Sequence, residues 1–99
     1  MVMTKQTQKL DYIRNKIRPV LQEHEVVKAE IFGSYAREEQ NENSDIDILV
    51  ELEKGKTLVD LAELKKDLEK VTEKEVDVLT YNSVNSEIRE KIFSEAIKV

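Results

Sequence analysis

A chain of 99 residues with a formal net charge of −5 and no cysteine is expected to fold as one domain over 1–99. Its acidity argues against direct nucleic-acid binding, which relies on basic patches, and without cysteine neither a disulfide framework nor a thiolate metal site can form. The 39% hydrophobic and 37% charged composition suits a soluble, helix-rich protein. With no run near the ~18 apolar residues of a membrane span and no signal peptide before the first helix, a cytoplasmic location without membrane contact is expected.

Leu10, Ile13, Ile17, Val20 and Leu21 recur at helical spacing and predict an amphipathic helix over about 5–23. Pro19 lies inside it and should kink the helix or open a new turn. The β-branched run VVKAEIF, Val26 to Phe32, predicts a strand ending at Gly33. SYAREEQ (34–40) predicts a short helix starting at the Gly-Ser turn, and NENS (41–44) is polar turn material.

DIDILVEL, Asp45 to Leu52, is the clearest strand. Alternation places Asp45, Asp47 and Leu49 on one face and Ile46, Ile48 and Val50 on the other. After a loop around Gly55, Thr57 can cap a helix from Leu58 to about Thr72, with Leu61, Leu64, Leu68 and Val71 as its buried stripe. EVDVLT, Glu75 to Thr80, predicts a third strand, and a last helix over about 84–97 is expected to bury Ile88, Ile92, Phe93 and Ala96. The order favours an α+β fold: a small mixed sheet with helices packed on it, the helix after the second strand serving as a crossover. Strand order stays open.

Chemistry concentrates between residues 33 and 77. Gly33-Ser34 stands ten residues before Asp45-x-Asp47. An acidic pair on an otherwise apolar strand is costly unless something is bound there. Two carboxylates reaching one point repel, and one takes up a proton unless a cation sits between them. An oxygen-only ligand set suits Mg²⁺ or Mn²⁺, and Mg²⁺ commonly joins one or two carboxylates to substrate phosphates. Asp77 completes a three-carboxylate cluster if its strand neighbours the second one. Three carboxylates can hold two metal ions for phosphoryl or nucleotidyl transfer. Gly33 would let the backbone approach a phosphate, with the following amides and the Ser34 hydroxyl as donors.

These residues carry a resemblance. FGSYAR…SDIDILV is similar to the nucleotidyltransferase superfamily of DNA polymerase beta, and most resembles its minimal nucleotidyltransferases (MNT proteins). IRPVLQEHEVVKAEIFGSYAREE and EVDVLT extend the likeness over nearly the whole chain. It implies that Gly33 and Ser34 contact a nucleoside triphosphate, that Asp45 and Asp47 ligate both Mg²⁺ ions, and that Asp77 ligates one and helps activate the acceptor hydroxyl. It also implies an antitoxin that moves AMP from ATP onto a tyrosine of a helical HEPN partner, an RNase toxin. A non-catalytic antitoxin that blocks the toxin by contact is one alternative. A small-molecule nucleotidyltransferase of the aminoglycoside-modifying type is the other. Glu38 departs from the Gly that many relatives carry after Ala-Arg.

Other residues invite simpler readings. Arg37 can contact phosphate or acceptor, or pair with a neighbouring carboxylate. Tyr35 is expected to pack beside the motif, His24 to cap a helix or face solvent, and ELKKDLEK to form a solvated face with i,i+4 charge partners. The loop EEQNENS and the Gly-Ser turn are the expected docking surface for a basic partner.

Overall fold

A computed structural model describes residues 5–37, 39–41 and 43–99. Helix α1 (Lys5–Glu23) leads into strand β1 (Val26–Phe32), followed by β2 (Ile46–Leu52), α2 (Leu58–Thr72) and β3 (Val76–Thr80). A 3₁₀ turn (Tyr81–Ser83), helix α3 (Ser86–Glu95) and strand β4 (Ile97–Lys98) complete the order. The sheet runs β3-β2-β1-β4. β1 is antiparallel to β2 and to β4, whereas β2 and β3 are parallel. Helix α2 is therefore the crossover that a parallel pair requires. The mixed sheet with packed helices is the expected α+β class.

One face of the sheet carries the core. Ile46, Ile48 and Val50 of β2, Ile31 of β1 and Val76 of β3 meet Ile13 and Ile17 of α1 and Leu64 and Leu68 of α2. Leu64 and Leu68 are fully buried, and Leu61 and Val71 pack against the same cluster. The opposite face is covered differently. Leu49 and Val84 are buried there outside the main cluster. Tyr81 meets Phe93 of α3 with ring centroids 5.7 Å apart, while Lys28 of β1 lies 5.1 Å from the Tyr81 ring centre. Burial, then the charges of Glu30 and Glu51, push the Tyr81 phenol up to about 12.

Thr57 begins α2 as expected. Its backbone N–H donates to Asp60 Oδ2 at 2.7 Å, and its hydroxyl accepts from the Asp60 N–H, completing a capping box. Thr57→Ala is expected to lower stability by about 1 kcal/mol, read as a lower melting temperature with nucleotide binding unchanged.

Several expectations need correction. The described residues of SYAREEQ form no regular helix; isolated turns close through Arg37 N–H to Gly33 O (3.1 Å) and Glu39 N–H to Ser34 O (2.9 Å). One helical turn without an apolar stripe has nothing to hold it. Strand β2 starts at Ile46, leaving Asp45 exposed just ahead of it. The last helix ends at Glu95, because Ala96 turns extended (φ −66°, ψ 141°) and Ile97 pairs with Ile31 at the open edge of β1. Phe93 is 43% exposed because α3 covers only part of its face. Ile92 and Ala96 are half-buried; the Ile88 side chain and Glu38 lie outside the described residues. Helix α1 runs on through Pro19 rather than starting anew there, and the residue's exposed position leaves water free to serve the carbonyl it cannot bond. Among the described residues no helix is long and apolar enough to cross a membrane.

Candidate active site

Three local devices bring the motif residues together. Strand pairing comes first. In the parallel β2–β3 register Asp47 stands opposite Asp77. That register is pinned at its start by Ile46 N–H to Glu75 O (2.9 Å) and by Val76 N–H to Glu69 Oε2 (3.1 Å). The antiparallel register sets Phe32 opposite Asp47, which delivers the next residue, Gly33, to the same carboxylate.

Gly33 is the second device. It holds φ +75°, and a Cβ built on it would collide with Asp47 Oδ2 and stand 3.1 Å from Asp47 Cγ. Only glycine permits this approach of backbone to carboxylate. Beyond it, Tyr35 turns inward and is 2% exposed in the main core, anchoring the turn as its sequence position suggested. Among the described residues no hydrogen bond takes up the N–H groups of Ser34, Tyr35 or Ala36. The turn thus keeps donors for an anion although it is not a helix start.

The third device is the pair of ionic contacts made by Arg37. Its Nε donates to Glu39 at 3.0 Å and its Nη1 to Glu95 at 3.1 Å. The turn is thereby tied to the end of α3, and Arg37 pairs with two carboxylates while it lines the cleft. A cleft of about 490 Å³ opens between these parts, lined by Phe32, Gly33, Ser34, Arg37, Asp45, Asp47, Lys91, Ile92 and Glu95. The α3 residues are the ones the sequence did not point to. Lys91, Ile92 and Glu95 share one helical turn, but only tertiary packing turns them toward the Gly-Ser motif.

Electrostatics single out Asp47. Burial, the Asp77 charge and hydrogen bond, and the Asp45 charge raise its carboxyl to about 6. Carboxylates this close hold a proton unless a cation sits between them. Among the described residues no three potential ligands converge closely enough to form a ready cage. Asp45 stands exposed ahead of β2 and lines the same cleft, where its charge acts on Asp47. The donor set is oxygen-only and anionic, so it fits Mg²⁺ or Mn²⁺.

His24 and the ELKKDLEK run behave differently from expectation. His24 Nε2 meets Asp67 at 2.7 Å, so it clasps the end of α1 to α2. Asp67 and Glu69 both make tertiary bonds, and no ion pair joins side chains within the run among the described residues. The helix is thus stitched to its neighbours through its charged face.

A mixed sheet backed by two helices, with paired acidic strands and a glycine turn at one end, is the architecture of a nucleotidyltransferase. The chain belongs to the polymerase beta nucleotidyltransferase family: the family model described as "Polymerase beta, Nucleotidyltransferase" matches residues 15–99. It is 56% identical over 90 residues to the Methanocaldococcus jannaschii protein named "Putative protein adenylyltransferase MJ0435", covering 91% of this chain and 97% of that one. Among solved structures, a "putative minimal nucleotidyltransferase" superposes with a TM-score of 0.80 at 36% identity, over 91% of this chain and 95% of the other. A toxin–antitoxin solved with AMP-PNP matches with a TM-score of 0.74 at 26% identity, over 85% of this chain and 69% of that one.

Proposed function

We propose that this protein, acting as one domain in the cytoplasm, transfers AMP from ATP to a tyrosine hydroxyl of a HEPN-family helical toxin and so serves as its antitoxin. The observation that carries the proposal is the seating of Gly33 against Asp47, with Asp77 opposite it on the neighbouring strand. A phosphate-holding turn and an acidic cluster then share one cleft. The relative named a protein adenylyltransferase and the toxin–antitoxin solved with AMP-PNP support the choice of nucleotide and partner.

Each residue has a task. The amides after Gly33 and the Ser34 hydroxyl hold the triphosphate. Arg37, bound to Glu39 and Glu95, keeps the turn in place. Asp45, Asp47 and Asp77 would hold the Mg²⁺ ions, which supply charge neutralisation at the phosphates. The acceptor oxygen attacks the α-phosphorus, the bond from that phosphorus to the bridging oxygen breaks, and pyrophosphate leaves. The acceptor proton passes to the Asp77 carboxylate. The loop EEQNENS and the Gly-Ser turn, which lines the cleft, serve as the docking surface for a basic partner.

The test is incubation with ATP, Mg²⁺ and a HEPN-family protein, followed by mass spectrometry of both chains. A mass gain of whole AMP units on the partner, dependent on Mg²⁺, is expected. Neutralisation of the partner with no mass gain would replace transfer by contact inhibition. Transfer only to small hydroxylated molecules would point to the antibiotic-modifying class.

A further inference from the structure

Among the described residues two cationic side chains line the cleft, and they are in different states. Arg37 is engaged by two carboxylates, Glu39 and Glu95. Lys91 lines the same cleft from α3, and among the described residues its ammonium group makes no ion pair. Lys91 and Glu95 stand at i and i+4 on one helix, a spacing within reach of a pair. Glu95 instead turns to Arg37 at 3.1 Å. That exchange leaves the lysine charge facing the cleft across from the Gly-Ser turn.

Resting on the nucleotidyltransferase reading of this cleft, we infer that Lys91 binds the β- and γ-phosphates of the incoming nucleoside triphosphate. The physical need is specific. A triphosphate enters a cleft walled by Asp45, Asp47 and Glu95, in a chain of net charge −5. The acidic cluster offers no attraction to the distal phosphates. The turn amides are neutral donors, and Arg37 is shared between Glu39 and Glu95. An ammonium on a flexible four-carbon stem is suited to follow phosphates as a compact point charge. Lys91 thereby sets the preference for triphosphate over monophosphate, and helps hold the pyrophosphate group as it leaves. Glu95 acts indirectly: by occupying Arg37 it keeps Lys91 available.

Calorimetric titration of ATP and AMP into wild type, Lys91→Gln and Lys91→Arg, each in Mg²⁺, tests this. Lys66→Gln, on the exposed side of α2, controls for net charge. Loss of one charge-assisted contact should weaken ATP binding about tenfold in Lys91→Gln. AMP binding should change less than about twofold, and Lys91→Arg should recover most of the ATP affinity. Equal loss for ATP and AMP, or the same loss in Lys66→Gln, would overturn the inference. So would unchanged ATP affinity in Lys91→Gln while wild type binds ATP in a metal-dependent way, and that result would leave the site reading standing. Wild type that binds ATP equally in Mg²⁺ and in EDTA would overturn the site reading and this inference together.

Discussion

Asp47→Asn is expected to eliminate nucleotide transfer and, in the same molecule, to raise the stability of the metal-free protein. Loss of a carboxylate from the acidic cluster should lower the rate by roughly 10³-fold or more, since on the proposed reading it removes a ligand of the cation that would neutralise the phosphates. Stability moves the other way for a reason fixed by the sign of the titration. The Asp47 carboxyl is raised from 3.8 to about 6 in the fold by burial, Asp77 and Asp45. Between those values the folded chain binds more protons than the unfolded one, so stability falls as pH rises from about 4 to about 6 and is level above. The asparagine carries no such penalty. Asp47 is only half-buried, so after discounting for solvent screening the gain at pH 7 is on the order of 1 kcal/mol, or about 4–8 °C in melting temperature. Melts of both proteins in EDTA from pH 4 to pH 8 check this. The curves should converge at the acid end, part between about pH 4 and pH 6, and stay apart by a constant amount above. A variant that melts lower than wild type at pH 7, with specific activity kept in its folded fraction, would make Asp47 a structural residue.

The second large effect is expected at Gly33. Gly33→Ala adds a methyl group where Asp47 Oδ2 already stands, at a backbone φ of +75°. The positive φ and the need to turn the Asp47 carboxylate aside, with Asp47 Cγ 3.1 Å from the new methyl, should together cost about 2 kcal/mol. Nucleotide affinity should fall as well, since the turn can no longer seat against the cluster. Gly55 provides the comparison. It also has a positive φ, +93°, but a Cβ there meets nothing within 4 Å. Gly55→Ala should therefore cost only the backbone term, about 1 kcal/mol, with ATP affinity unchanged. Urea unfolding with ATP titration separates the two sites. Equal destabilisation by both substitutions would mean that the contact between Gly33 and Asp47 is not a tight one.

Most of the regular structure was legible because its signals are local. Periodicity located α1 over 5–23 and the stripe of α2, and Thr57 announced the start of α2 through its own hydroxyl. Alternation in β2 separated the acidic face from the core face, which is why Ile46, Ile48 and Val50 lie in the core while Asp47 lines the cleft. Where local signals were weak, the expectation failed. A one-turn helix after Gly33 had no apolar stripe to reveal its absence. The EAIKV ending fits a helix until the open edge of β1 offers Ile97 a partner, and that edge exists only once the sheet has formed.

The site divides along the same line. By itself the sequence determined which residue types could hold phosphate and metal, because the Gly-Ser turn and the acid-apolar alternation of β2 are fixed by neighbours along the chain. Tertiary structure alone decided that β3 lies beside β2, so that Asp77 faces Asp47. It also decided that Arg37 would find Glu95, fifty-eight residues away, and that Lys91 would be left facing the cleft. Pairing between distant segments depends on which edges and charges the folded chain leaves exposed, and nothing in a local pattern encodes that.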